Sequence, residues 1–188
     1  MSDFVCIAGG PSLTKEDATL ARQHCTVVGV NDAYRMIDVD YLYASDLEWW
    51  EHHADKVKDL DCRKIIGKQG RRPPEFVEEW PAEHSNNLRR EAINFGRHSG
   101  FAALHLAILL GAERVLLLGY DMGGNTHWFG RHEGKLRNTS NYHQWVEVYE
   151  TCNPPVPVIN CSRRTALTAF PRMTIEEALC VPALSENQ

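Results

Sequence analysis

Two histidines five residues apart, His127 and His132, lie in the glycine-containing stretch Asn125-Thr126-His127-Trp128-Phe129-Gly130-Arg131-His132. A histidine in a loop can take or give a proton near neutral pH, so either side chain is a candidate general base. Just upstream, Gly119-Tyr120-Asp121-Met122 adds a carboxylate, Asp121, as a third catalytic candidate. Four other short clusters share a small and polar character: Gly9-Gly10-Pro11-Ser12, Asn31-Asp32, Ser45-Asp46 and His98-Ser99-Gly100. Glycines let backbone N–H groups approach an anion, and a helix N-terminus adds favourable partial charge. The chemistry these types allow together is recognition of a phosphate, with proton transfer by a neighbouring histidine.

Each cluster alone has a plain structural explanation. Gly9 and Gly10 suit a tight turn, Asn31 tolerates positive φ, and Ser45 and Ser99 are good helix N-caps. Neither G-x-G-x-x-G nor G-K-[ST] occurs, so the chain carries no dinucleotide fingerprint and no Walker loop. The D-x-D pair Asp38-Val39-Asp40 precedes its strand, at the wrong end of a sheet for binding. His52, His53 and His105 sit in helical or apolar context, where packing or a surface position is the default. The spacing of His127 and His132 on a loop is weak support for a metal pair.

What places the clusters is the alternation of short apolar runs with segments of helical period, the pattern of an α/β domain with a mainly parallel sheet. Strands are expected at Phe4–Ala8, Thr26–Val30, Tyr41–Ala44, Lys64–Gly67, Arg114–Leu118 and Val156–Asn160, all nearly continuous apolar runs as in sheets covered on both faces. Helices are expected at Thr14–Arg22, from Ser45 in an S-x-x-E capping box to about Lys58, at Ser99–Gly111, from about Asn141 to Glu150, and at Thr174–Leu179. The stretches 68–98 and 119–138 read as long connections, which in a compact domain are usually functional. In an open parallel sheet ligands bind beyond the strand carboxyl ends, where the polar clusters fall.

The chain of 188 residues, 43% hydrophobic, fits a single Rossmann-like domain over 1–188. A net charge of −5 argues against a surface that embraces nucleic acid. Arg63, Lys64, Lys68, Arg71 and Arg72 read as a solvated basic loop. No apolar run is long enough to span a membrane, and the start MSDFV lacks a basic stretch followed by a long apolar segment, so a soluble protein that is not secreted is expected. The scattered cysteines, without C-x-x-C, suggest a reducing cytoplasm. Trp49 and Trp50 are expected in the core.

The motifs I-A-G-G-P-S-L, V-N-D, L-Y-A-S-D, H-S-G-F-A-A-L-H-L-A-I-L-L-G-A and V-L-L-L-G-Y-D-M, in this order from residue 4 to about 179 with the tail C-x-x-P-V-P-V-I-N-C-S, resemble the sialyltransferase-like superfamily. That group includes bacterial sialyltransferases, archaeal hydroxymethylpterin diphosphokinases and uncharacterised phage and bacterial proteins. The resemblance implies a nucleotide site built from Gly9, Gly10, Pro11, Ser12, Asn31, Asp32, Ser45, Asp46, Ser99, Gly100, Gly119 and Tyr120. Gly9 and Asp46 stand where the sialyltransferases carry asparagines, whereas Asn31 and the Ser99-Gly100 pair match. The general base stays open among His127, His132 and His143. The expected activity is that of a glycosyltransferase-like enzyme using a nucleotide-activated sugar. Alternatives are a phosphotransferase with Mg²⁺ held by Asp46 and Asp121 against ATP, or a non-catalytic nucleotide-binding protein. The acceptor is open, and a homo-oligomer is possible.

Overall fold

The computed structural model describes residues 2–96, 98–123, 126–132, 134, 136 and 142–181. The main sheet is formed by β1 (Asp3–Ile7), β2 (Thr26–Val30), β3 (Tyr41–Tyr43), β4 (Arg63–Gly67), β5 (Glu78–Trp80), β8 (Arg114–Leu118) and β9 (Val158–Asn160). Its order is β5-β4-β3-β2-β1-β8-β9, and every pairing is parallel. The chain winds outward from β1 through β5 on one side and through β8 and β9 on the other. The topological switch therefore lies between β1 and β8, where a crevice opens at the carboxyl edge. This is a Rossmann-like α/β architecture.

Helices α1 (Lys15–His24), α2 (Leu47–Val57) and α5 (Ile175–Cys180) cover one face, while α3 (Ser99–Leu109) and α4 (Tyr142–Thr151) cover the other. The strand period of two divides the apolar runs between these layers. Phe4, Cys6, Val28, Val115 and Leu117 pack with Phe101 of α3 and Tyr149 of α4, and Val5, Ile7, Val27, Leu116 and Leu118 pack with Ala18 of α1, Trp50 of α2 and Ala178 of α5. With both faces occupied, β8 is buried at all five positions. Helix α3 is apolar around its whole circumference and buried from Ser99 to Ala107, as such a composition requires. No helix among the described residues is long and apolar enough to cross a membrane.

Several expected boundaries shift for local reasons. Helix α2 begins at Leu47 with Asp46 as its cap, and no side chain caps it. The Ser45 amide donates instead to the Ser99 hydroxyl at 3.1 Å, so both serines tie the end of β3 to the start of α3 rather than capping helices. Within the supposed loop 68–98 lie β5 and a separate parallel pair, β6 (Ala82–Glu83) with β7 (Ile93–Asn94). The expected start of α4 at Asn141 lies outside the described residues. Trp49 and Trp50 are buried as expected.

Helix α5 opens with a complete capping box: the Thr174 hydroxyl accepts from the Glu177 amide, and Glu177 accepts from the Thr174 amide at 2.9 Å. Thr174→Ala should cost about 1 kcal/mol. Urea unfolding would show this as a lower midpoint with an unchanged slope.

Candidate functional site

A cleft of about 120 Å³, open to solvent, lies at the carboxyl edge over the switch point. The first strand's loop supplies Gly9, Gly10 and Pro11, and the second supplies Asn31. Ser99 and Gly100 contribute from α3, Gly119 and Asp121 from the loop after β8, and His127 and His132 from farther along that loop. The structure thus brings these ten expected residues to one cleft. Ser12, Asp32, Ser45, Asp46 and Tyr120 do not line it, nor does His143, which is exposed on α4.

The first loop departs from the expected phosphate floor. Its Gly10 amide donates to the Gly119 carbonyl at 2.8 Å, its Ser12 amide to Asp121 Oδ2 at 2.9 Å, and its Leu13 amide to the Gly10 carbonyl at 3.1 Å. The Ser12 hydroxyl donates to Asp121 Oδ1 at 2.8 Å. These donors are spent on the protein, the Ser12 amide and hydroxyl both on the Asp121 carboxylate. Asp121 thus latches the loops after β1 and β8 together through Ser12. Burial raises its pKa, and the two Ser12 hydrogen bonds oppose that rise.

Tyr120 is likewise not a ligand contact. It is fully buried, its hydroxyl donating to the Gly100 carbonyl at 2.9 Å and its amide to Ser162 Oγ at 2.8 Å. From beneath the cleft it fixes the first turn of α3.

That turn opens onto the same cleft. The first amides of a helix have no intrahelical acceptor and carry the positive end of its dipole. Here His98 is the cap, it makes no side-chain capping bond, and Ser99 and Gly100 face the cleft. The His98 ring packs 5.0 Å from Trp145 and 5.3 Å from Tyr149, and burial pulls its pKa down to about 3. It is neutral at physiological pH.

Buried polar atoms are almost always paired, so those without a partner call for an explanation. On residues of this cleft Asn31 Oδ1, His98 Nε2 and His127 Nδ1 have none among the described residues. Asn31 also holds a φ of 51°, the left-handed conformation its residue type tolerates. Tyr142 and Trp145 were not among the expected site residues, and His98 was marked only as part of the cluster His98-Ser99-Gly100. The available signals were the position of His98 immediately before α3 and the aromatic residues on the amphipathic α4.

Behind the histidines lies a buried polar cluster. Asp32 accepts from Trp49 Nε1 at 3.2 Å and from Arg35 Nη1 at 3.2 Å, with His53 Nε2 at 3.5 Å and His132 Nδ1 at 3.3 Å. Burial acts to raise its pKa, but hydrogen bonds from His132, His53 and Trp49 outweigh it and hold the carboxyl far below the usual range. His53 is therefore a partner of this carboxylate rather than a packing residue alone. His127 stacks on Phe129 with centroids 4.8 Å apart and lies 4.7 Å from the His132 ring. Burial, and then the neighbouring His132, lower the His127 pKa. A Cβ on Gly9 would come within 2.7 Å of the His127 ring, so that ring occupies the room a larger residue at position 9 would need.

The proposed metal pair is not assembled. Asp46 is exposed beyond β3 and Asp121 stands beyond β8, with β2 and β1 between them. Three strand spacings separate those ends by roughly 14 Å, too far for one Mg²⁺. The reading of adjacent strand ends is corrected by the strand order. Among the described residues no group of three or more His, Cys, Asp or Glu is placed to hold a metal ion.

No protein-family model matches the chain, and no curated protein does. Among solved structures the chain is similar to one described as an exported protein from Burkholderia pseudomallei, with 11% identity and a TM-score of 0.30 over 95% of this chain and 90% of that one.

Proposed function

We propose that the protein is a nucleotide-dependent transferase of glycosyltransferase type, with the donor phosphate at the N-terminus of α3. The observation that carries this reading is the meeting, at the sheet's switch point, of an uncapped helix N-terminus with the unpartnered polar atoms of Asn31 and His98. The Ser99 and Gly100 amides would take the phosphate oxygens. Trp145 and Tyr142 give an aromatic wall against which a base or sugar ring can stack. No Lys or Arg lines the cleft among the described residues, so amides and the helix dipole supply the attraction there.

In the transfer step a loop histidine takes the proton of an acceptor hydroxyl, and the hydroxyl oxygen bonds to the sugar's anomeric carbon. The bond from that carbon to the phosphate oxygen breaks, and the nucleotide leaves with the electron pair. The unpaired cysteines fit a reducing cytoplasm.

A thermal-shift screen with CMP, UDP, GDP, ADP and ATP, each with and without Mg²⁺, tests the binding. A nucleotide at a hundred times its Kd stabilises the native state by about 2.7 kcal/mol. One nucleotide class should raise Tm, and the gain should survive EDTA. If none of the five moves Tm, the reading fails.

A further inference from the structure

We infer that His132 is the general base of this cleft and that Asp32, clamped by Trp49, His53 and Arg35, is the residue that positions it. The inference rests on the transferase reading for the proton's destination, and on geometry alone for the pairing.

Asp32 lies immediately behind the cleft, with its side chain 3% exposed. A carboxylate buried so deeply stays charged only when donors surround it. Its partners come from three segments around it. Trp49 and His53 belong to α2, Arg35 to the 3-10 turn Asn31–Arg35 after β2, and His132 to the loop after β8. His53 is itself held, its Nδ1 lying 2.9 Å from the Trp49 carbonyl oxygen. Arg35 reaches across to the histidine loop, its guanidinium 5.4 Å from the Phe129 ring centre and 5.8 Å from that of Trp128. Both carboxylate oxygens are thus fixed in direction before any ligand arrives.

Of these four partners only His132 also lines the cleft. Its Nδ1 faces Asp32 Oδ2 at 3.3 Å, which selects the tautomer with the proton on Nδ1 and makes Nε2 the basic atom. When Nε2 takes the acceptor's proton, the imidazolium forms against an existing negative charge. His127 lacks this support: its Nδ1 has no partner among the described residues, and its ring is pressed against Gly9 and Phe129. The choice among histidines that residue types left open closes on His132.

Nitrogen-15 NMR of the histidine rings, in the wild type, Asp32→Asn and His53→Gln, tests the pairing without any substrate. His132 should carry its proton on Nδ1 in the wild type, and Asp32→Asn should move it towards Nε2. Turnover is then measured by release of free nucleotide from CMP-, UDP- and GDP-sugars. His132→Ala should lower kcat by roughly 10²- to 10⁴-fold, the range general base catalysis contributes. Asp32→Asn should lower kcat by roughly 10²-fold while KM and nucleotide-induced stabilisation stay within about threefold. His53→Gln should give a smaller loss in the same direction, and it serves if Asp32→Asn fails to fold.

An unchanged His132 tautomer in both folded variants overturns the pairing. A loss in His127→Asn equal to that in His132→Ala overturns the base. Should the wild type release no nucleotide from any donor, the transferase reading and the role of base fall together, while the NMR result still decides whether Asp32 orients His132.

Discussion

Gly10→Ala is expected to destabilise the protein by about 3 kcal/mol or more. Overpacking a well-filled site usually costs about 1–3 kcal/mol, and more when the obstacle is backbone. A Cβ at this position would lie 2.1 Å from Asp121 Oδ1 and 2.4 Å from the Gly119 carbonyl oxygen. The carboxylate could swing aside only by giving up both Ser12 hydrogen bonds. The carbonyl cannot move without parting the loops after β1 and β8, because it accepts the Gly10 amide at 2.8 Å. The double variant Gly10→Ala/Asp121→Ala should therefore not recover stability. Urea unfolding of the single and double variants measures both claims. A Gly10→Ala protein of wild-type midpoint would show that the approach of these loops is not the constraint.

Acidification from pH 7 to pH 4 should remove stability at up to about 1.4 kcal/mol per pH unit through His98 alone. The imidazole titrates near 6.5 in the unfolded chain, whereas burial between α3 and the aromatic residues of α4 brings it to about 3 in the fold. Between those values the unfolded state binds the proton and the native state does not, so stability falls as pH falls. It is fully present above about pH 6.5 and is lost progressively towards 3. The lowered pKa of His127 adds in the same direction. Asp32 enters only below the ordinary carboxylate range of about 4, where protonation begins to cost its four partners. His98→Gln should flatten the dependence between pH 6 and pH 4, as seen in unfolding midpoints across that range. An equally steep slope in the variant would remove His98 as its source.

The sheet was legible because a parallel strand covered on both faces has to be apolar. Runs such as Val115 to Leu118 announce themselves, and the expected strands lie within two residues of those found. The 68–98 region was not legible. Its strands Glu78–Trp80, Ala82–Glu83 and Ile93–Asn94 are short, and the first two are exposed or half-buried. They form because β4 and one another offer unpaired backbone groups, which is pairing energy rather than propensity.

The sequence by itself determined which loops meet. Small and polar residues after apolar strands marked Gly9, Asn31, Ser99, Gly119 and the histidine loop as one edge, since parallel strands of an α/β sheet end on the same side. Only the tertiary structure decided what each residue does there. Whether the Ser12 amide meets a phosphate or a carboxylate depends on Asp121, 109 residues away in the chain. Whether Asp32 faces the cleft or a buried polar cluster depends on His53, His132 and Trp49 closing around it. Hydrogen-bond donors are finite and are assigned by distance in space, so the first loop, rich in the right residue types, spends them on the protein, while the N-terminus of α3 carries no side-chain cap.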